Sequence, residues 1–392
     1  MTHTHTSSGQ PRARGLGIAL PGTPGPGNAI TDVPGLTVGM VTLVEGDGPL
    51  MRGEGPVRTG VTAILPRGRD GIGVPCAAGV HSLNGNGEMT GTAWIAETGA
   101  FSTPVTITNT HAVGACHRGT IDFVVSTRPE VGSQWLLPVV AETWDGYLND
   151  INGDHVQPAH AVQAMENAAT GEVAEGSVGG GTGMNCYGFK GGTGTASRQV
   201  VHGSTTYTVG ALLQANFGSR HELTVAGVHV GPAIAADNPL EDGDWFERDG
   251  IRAGLSGAGS VIVVVATDAP LLPGQCAALA RRVPLGLART GTSGSHFSGD
   301  IFLAFSTANA GALSSRIPLG PATDDDYESL TFVPWGRLDP FYEAVVECVE
   351  EAVLNALVVN ADMVGRDGHR SPALPHQALL AALRDTPGRL RP

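Results

Sequence analysis

Apolar and polar positions along this chain fall into short runs of two periods. Residues 104–108 alternate and predict a buried strand, and residues 29–41 alternate enough for strands as well. Residues 205–215, 223–230 and 300–305 read as further strands. The clearest run is Val261-Ile262-Val263-Val264-Val265, whose unbroken β-branched character predicts a strand buried on both faces. Helical patterning follows Pro158 over residues 159–168. It returns over 273–287, with Cys276, Leu279 and Val283 on one side and Pro284 bending or ending the helix. Asp339-Pro340 is a helix start, with Asp339 as N-cap. Phe341, Val345, Val349, Val353 and Leu357 then recur at helical spacing and form a core-packing stripe.

The connecting stretches differ in kind. Residues 1–25, with the turn-rich Pro21–Gly27 at their end, read as a flexible arm. Asn109, Thr110 and His111 follow a strand and lead toward a Gly/Ala-rich, helix-compatible segment. Residues 142–152 are polar, with a turn at Asp145-Gly146. Residues 176–194 hold too much glycine for a helix interior and read as loop and extended backbone in close approach to a neighbour. Residues 238–259 are polar and Gly/Asp-containing, and form the best linker in the chain.

Composition narrows the function classes. The formal charge of −14 argues against nucleic-acid binding, which needs a basic face. The five cysteines are widely spaced without a C-x-x-C pair, which disfavours a disulfide framework or a zinc site. No signal peptide or membrane span is visible, so a cytoplasmic setting is expected. Lys190 is the only lysine, which sets it apart from a solvated surface charge. It reads either as one half of a structural ion pair or as a functional partner of a carboxylate in the glycine-rich segment.

Several hydrolase and nucleotide motifs are absent. Ser256 has Gly254 two residues before it but Ala258 two after, so it is not a nucleophile elbow. Lys190 follows Phe189 and precedes Gly191, so there is no P-loop. His111 and His117 lie six apart without a metalloprotease pattern, and hydrogen-bonding roles suit them better than metal ligation.

What remains for serine chemistry is an N-terminal nucleophile. An α-amino group has a pKa of about 7.7–8.0, so a terminal serine carries its own base near neutral pH. An internal serine becomes terminal when its hydroxyl attacks the preceding carbonyl. The acyl group shifts from N to O, and water opens the ester. Gly259-Ser260 suits this chemistry, because glycine tolerates strained backbone and the strand after Ser260 fixes its position. Local composition also allows, and by itself favours, an ordinary Gly-Ser turn before a strand.

The wider motif decides between them. The run from Gly259 to Pro270 resembles the processing site of the DmpA-type aminopeptidases, which include L-aminopeptidase/D-amidase-esterases and β-peptidyl aminopeptidases. Asn84-Gly85-Asn86-Gly87-Glu88, Ala141-Glu142-Thr143, Phe189-Lys190-Gly191-Gly192, Gln214-Ala215-Asn216-Phe217-Gly218 and Ser298-Gly299-Asp300-Ile301-Phe302 resemble the family in the same order. The likeness runs over roughly residues 25 to 365. It implies an α/β (α+β) fold, a four-layer αββα sandwich similar to N-terminal nucleophile hydrolases. It implies an α segment, 1–259, and a β segment, 260–392, sharing one structural domain and cut at Gly259-Ser260, with αβ units assembling as homo-oligomers.

Residue roles follow from the same resemblance. Ser260 matches the nucleophile, Asn216 the oxyanion donor, and Ser298 and Asp300 the pair that orients the amine. Glu142 matches the carboxylate that holds the substrate's ammonium group. Trp144 stands where the family usually has Tyr; an indole offers a donor but no acceptor and no acid, so substrate preference is expected to shift. The expected substrates are short peptides or amino-acid amides and esters, with no metal, cofactor, nucleic acid or membrane involved. Two other readings share the fold: an oligoamide hydrolase or acyltransferase, whose nucleophile is Thr, and a non-catalytic homologue that stays unprocessed.

Overall fold

A computed structural model describes residues 3–243, 245, 259–315, 317, 320–384 and 388–390. The alternating runs become strands: β1 (Thr37–Glu45), β2 (Val57–Leu65), β3 (Cys76–Ser82), β4 (Ala100–Phe101), β5 (Val105–Asn109), β6 (Val139–Thr143), β7 (Asn185–Cys186), β8 (Phe189–Lys190), β9 (Gly192–His202), β10 (Thr205–Asn216), β11 (Thr224–Val225), β12 (Val228–His229), β13 (Gly259–Thr267) and β14 (Ser298–Ser306). Two sheets dominate. One has the order β1-β2-β5-β6, the other β4-β3-β14-β13-β10-β9.

Strand alternation sorts the core into three seams. Ile262, Val264 and Ala266 of β13 meet Ile64, Val105, Ile107 and Ala141 of the other sheet, so these residues fill the space between the sheets. Val261, Val263 and Val265 point the other way, onto the helices Pro273–Ala280, Val283–Arg289, Asp339–Val358 and His376–Arg384. The outer face of the four-stranded sheet is covered by Val113–Thr127 and Pro158–Glu166. The result is the expected αββα layering. Each of the five aliphatic residues 261–265 is at most 1% exposed, and each contributes roughly 1.5–3 kcal/mol through burial.

Several local expectations shift. Residues 223–230 do not form one strand: Ala226 and Gly227 take positive φ (48° and 77°) and fold the run into a hairpin of β11 and β12. The helix expected over 273–287 breaks at Arg281-Arg282, and Pro284 sits in the first turn of the next helix. Leu338 rather than Asp339 occupies the N-cap of Asp339–Val358.

The arm expected over residues 1–25 is anchored from Arg12 onward. Arg14 pairs with Glu351 at 2.7 Å, Arg12 with Glu175 at 2.7 Å, and Ile18 and Leu20 are buried. Arg198 also reaches Glu351, at 2.6 Å, and Asn28 donates to the same carboxylate. These buried partners, distant in sequence, explain why a polar N-terminal stretch docks. The linker expected over 238–259 lies mostly outside the described residues. Its described beginning contains the turn of helix Pro239–Asp242, and its end is Gly259 in β13.

Candidate active site

Ser260 is the second residue of β13 and is 2% exposed. By alternation with Ile262 and Val264 it faces the space between the sheets, at the mouth of that seam. Gly259 lets it reach this position. A Cβ on Gly259 would lie 2.1 Å from the carbonyl oxygen of Asn216, so β13 can run in this tightly beside β10 only with glycine there.

Neighbouring strands bring the expected residues to it. Asn216 ends β10 directly opposite Ser260 in the antiparallel register. β14 runs parallel on the other side, with Ser298 opposite Gly259, Gly299 opposite Ser260 and Asp300 opposite Val261. The Ser298 hydroxyl donates to Asp300 Oδ1 at 2.5 Å, and Asn84 Nδ2 donates to Asp300 Oδ2 at 3.0 Å. Asn84 Oδ1 also accepts the Asp300 backbone N–H at 2.6 Å. Burial pushes the Asp300 carboxyl above its ordinary range, against the lowering pull of Ser298, Asn84 and the Val261 N–H. Beside this pair the 84–88 loop crosses β14 so closely that a Cβ on Gly299 would meet Asn86 O at 2.4 Å.

The other sheet supplies the opposing wall. Glu142 lies in β6 and is 2% exposed. Its Oε1 accepts the Glu88 backbone N–H at 2.8 Å, and its Oε2 accepts the Thr110 hydroxyl. Burial raises the Glu142 carboxyl above its ordinary range; the Thr110 and Glu88 hydrogen bonds oppose this, the Glu88 charge adds to it, and His111 counters it. Two residues along, Trp144 touches Ser260 through its main chain. The Trp144 N–H donates to Ser260 Oγ at 3.2 Å, and the Trp144 carbonyl accepts Asn216 Nδ2 at 2.8 Å. Its indole instead stacks on Trp245, with centroids 6.3 Å apart and an 18° interplanar angle. The two sheets are tied just behind this point by Gln214, which donates to Thr108 O at 3.0 Å and Thr143 Oγ1 at 2.6 Å.

The glycine-rich segment supports the same corner, as close backbone approach predicts. A Cβ on Gly180 would meet Gln214 Oε1 at 2.2 Å and Ile107 O at 2.6 Å. Lys190 is fully buried, and carbonyl oxygens rather than a carboxylate hold its ammonium group: Met184 O at 2.7 Å and Gly191 O at 2.8 Å. Burial lowers its pKa to about 7, with the nearby Cys186 and Asp145 acting in the opposite sense. Asp145 is itself fully buried and pushed up to about 7 by desolvation.

The structure therefore brings Ser260, Gly259, Asn216, Glu142 and the Trp144 backbone to one end of the intersheet seam, while Ser298 and Asp300 lie alongside Gly259 and Val261 on β14, on the face that alternation turns toward the helices. Sequence reasoning missed Asn84 and Asn185 as supports. Asn84 stands inside a motif that carried the resemblance. Asn185 acts through its main-chain N–H, which donates to Asn216 Oδ1 at 2.9 Å and leaves no trace in residue type.

An αββα sandwich that presents a serine at the start of a central strand, with a main-chain N–H on its hydroxyl and an asparagine paired opposite it, is the layout of a serine hydrolase with the Ntn fold. Residues 28–371 match peptidase family S58, and the chain belongs to that family. It is a serine-type aminopeptidase. It is 48% identical over 375 residues to the β-peptidyl aminopeptidase BapA of Sphingosinicella microcystinivorans, covering 95% of this chain and 92% of the relative. Among solved structures it is similar to the L-aminopeptidase D-Ala-esterase/amidase of Ochrobactrum anthropi, described as a prototype of the serine aminopeptidases and a variant of the Ntn hydrolase fold. That likeness has a TM-score of 0.87 and 46% identity, over 97% of this chain and 100% of the other. A Burkholderia sp. β-aminopeptidase gives a TM-score of 0.84 at 45% identity, over 96% and 99% of the two chains.

Proposed function

We propose that this chain cuts itself between Gly259 and Ser260 and then removes N-terminal residues, β-amino acid residues included, from short peptides, amides or esters. In the first step Ser260 Oγ attacks the Gly259 carbonyl, the peptide C–N bond breaks, and the Ser260 nitrogen takes the hydroxyl proton. Water then opens the ester, leaving a Gly259 carboxylate and a free Ser260 amine. In turnover that amine takes the Oγ proton while Oγ attacks the substrate carbonyl. It returns the proton to the leaving amine or alcohol, and water releases the acyl group.

The observation that carries this reading is the ring of groups around Ser260. Asn216 Nδ2 bears two N–H bonds, and one is taken by Trp144 O. The other is available to a developing oxyanion, while the Trp144 N–H holds the Ser260 hydroxyl in place. Ser298 and Asp300 flank the scissile junction, where a new ammonium or amine would appear. Glu142, buried and two residues from Trp144, supplies a negative group for a substrate's free N-terminus, which restricts action to chain ends. The names of the 48%-identical relative and of the Burkholderia enzyme support β-residues as substrates.

Five free, buried cysteines support a reducing, cytoplasmic setting. Among the described residues no helix is long and apolar enough to cross a membrane. Exposed Ile317, Tyr327, Phe332 and Trp335 support association of cleaved αβ units into homo-oligomers. The test is direct. Denaturing electrophoresis of the purified protein is expected to show two fragments, N-terminal sequencing of the smaller to give Ser-Val-Ile-Val, and an activity assay to show release of β-alanine from a β-alanyl amide. Ser260→Ala is expected to remain one 40.1 kDa chain without activity. A fully intact wild type that hydrolyses these substrates would overturn the reading.

A further inference from the structure

Asparagine amides are nearly symmetric in shape, so what decides which end faces a reaction is the polarity of their partners. At Asn216 the partners leave no choice. Oδ1 accepts the Asn185 N–H, and Nδ2 donates to Trp144 O. The Asn185 nitrogen belongs to the Met184–Asn185 peptide unit, and the carbonyl of that same unit accepts the Lys190 ammonium at 2.7 Å. One peptide group thus links the chain's single lysine to the Asn216 side chain.

We propose that Lys190 is a positioning residue for acyl transfer: through the Met184–Asn185 peptide it orients and polarises the Asn216 amide. An ammonium group on the carbonyl draws electron density toward oxygen and strengthens the N–H at the other end of the unit as a donor. That N–H in turn pulls on Asn216 Oδ1 and makes Nδ2–H a stronger donor. Chains of hydrogen bonds polarise one another by roughly 10–30% per bond. Burying a cation against carbonyl oxygens alone is costly for stability, and an apolar side chain of the same length would fill the site without that penalty. The same burial lowers the Lys190 pKa to about 7. The second grip, on Gly191 O, and the Gly191 N–H on Met184 O at 2.9 Å hold the peptide unit in one orientation.

The inference rests on the reading of Asn216 as an oxyanion donor, and a double-mutant cycle separates the two. Lys190→Met, Asn216→Ala and the double variant are compared by kcat and KM, with active sites counted by burst titration so that misfolded protein drops out. Removing one oxyanion donor costs about 10²–10³ in kcat. Lys190→Met is expected to lower kcat roughly tenfold with KM within about twofold, and to have little further effect in the Asn216→Ala background. If Asn216→Ala keeps the wild-type kcat, the donor reading fails. If Asn216→Ala is impaired while Lys190→Met turns over like wild type, or if the Lys190→Met loss is the same in both backgrounds, the Lys190 inference fails. Where Lys190→Met does not give folded protein, Lys190→Gln replaces it, since it also removes the charge. Where a variant stays uncut, the rate of Gly259–Ser260 cleavage in purified precursor is read through the same cycle with the same criteria.

Discussion

At the scale of single residues, the site works by backbone position as much as by side-chain chemistry. Gly259→Ala is the sharpest case. The added methyl would lie 2.1 Å from Asn216 O, so β13 must move away from β10 just where Ser260 needs its alignment. Uncut precursor is therefore expected to accumulate, seen as a single band that converts slowly or not at all. Glu142 gives a pH dependence. Its carboxyl sits above the ordinary range, so it becomes neutral on acidification earlier than a free glutamate does. KM for free-amine substrates is expected to rise as pH falls through that raised value, with kcat changing less. Glu142→Gln is expected to raise KM about 10–100-fold, the loss of one charge-assisted contact worth about 1.5–3 kcal/mol. Ser260, Asn216 and Glu142 were legible in the sequence through the resemblance of their motifs, since local composition alone favoured ordinary turns. Their proposed roles rest on that resemblance and on the strands that carry them. The contribution of Trp144 was not legible, because its N–H and C=O belong to every non-proline residue. The indole that distinguishes this chain packs on Trp245 instead.

At the scale of elements, β13 was legible as a strand buried on both faces, since five aliphatic residues in a row admit little else. Its neighbours were not, because register between distant strands leaves no periodic mark. The anchored N-terminal segment was hidden for a related reason. Arg14 and Arg198 find Glu351 across more than a hundred residues of sequence, and a charge with a distant buried partner looks like any surface charge. Burial alone would raise the Glu351 carboxyl, but Arg198 and Arg14 overcome it and hold it below the ordinary range. Its stabilising contribution is therefore present above the free glutamate value and lost as pH falls through the depressed folded value. Glu351→Ala leaves two buried guanidinium groups without their shared carboxylate. It is expected to cost about 3–5 kcal/mol in denaturant unfolding and to expose the N-terminal segment to limited proteolysis.

At the scale of the whole molecule, the two sides of Gly259-Ser260 cannot part by sliding. β13 and β14 lie between β10 and β3 in the six-stranded sheet, so strands from 260–392 are inserted among strands from 1–259. Cut protein is expected to elute at the same native size as an uncut Ser260→Ala chain. Its fragments should separate only in denaturant, with a single unfolding transition for both.

That interleaving would also give the proposed cut a meaning in time. Ser260 is aligned only when β10 stands on one side of it, β14 on the other, and the Trp144 main chain arrives from the second sheet. These contacts join segments made early and late in synthesis. A chain that cut itself at Gly259 as proposed would by then have assembled both sheets, so the new N-terminus would act as a date stamp on finished folding. A misassembled copy would stay whole and inert, unable to attack peptides before its own architecture is complete.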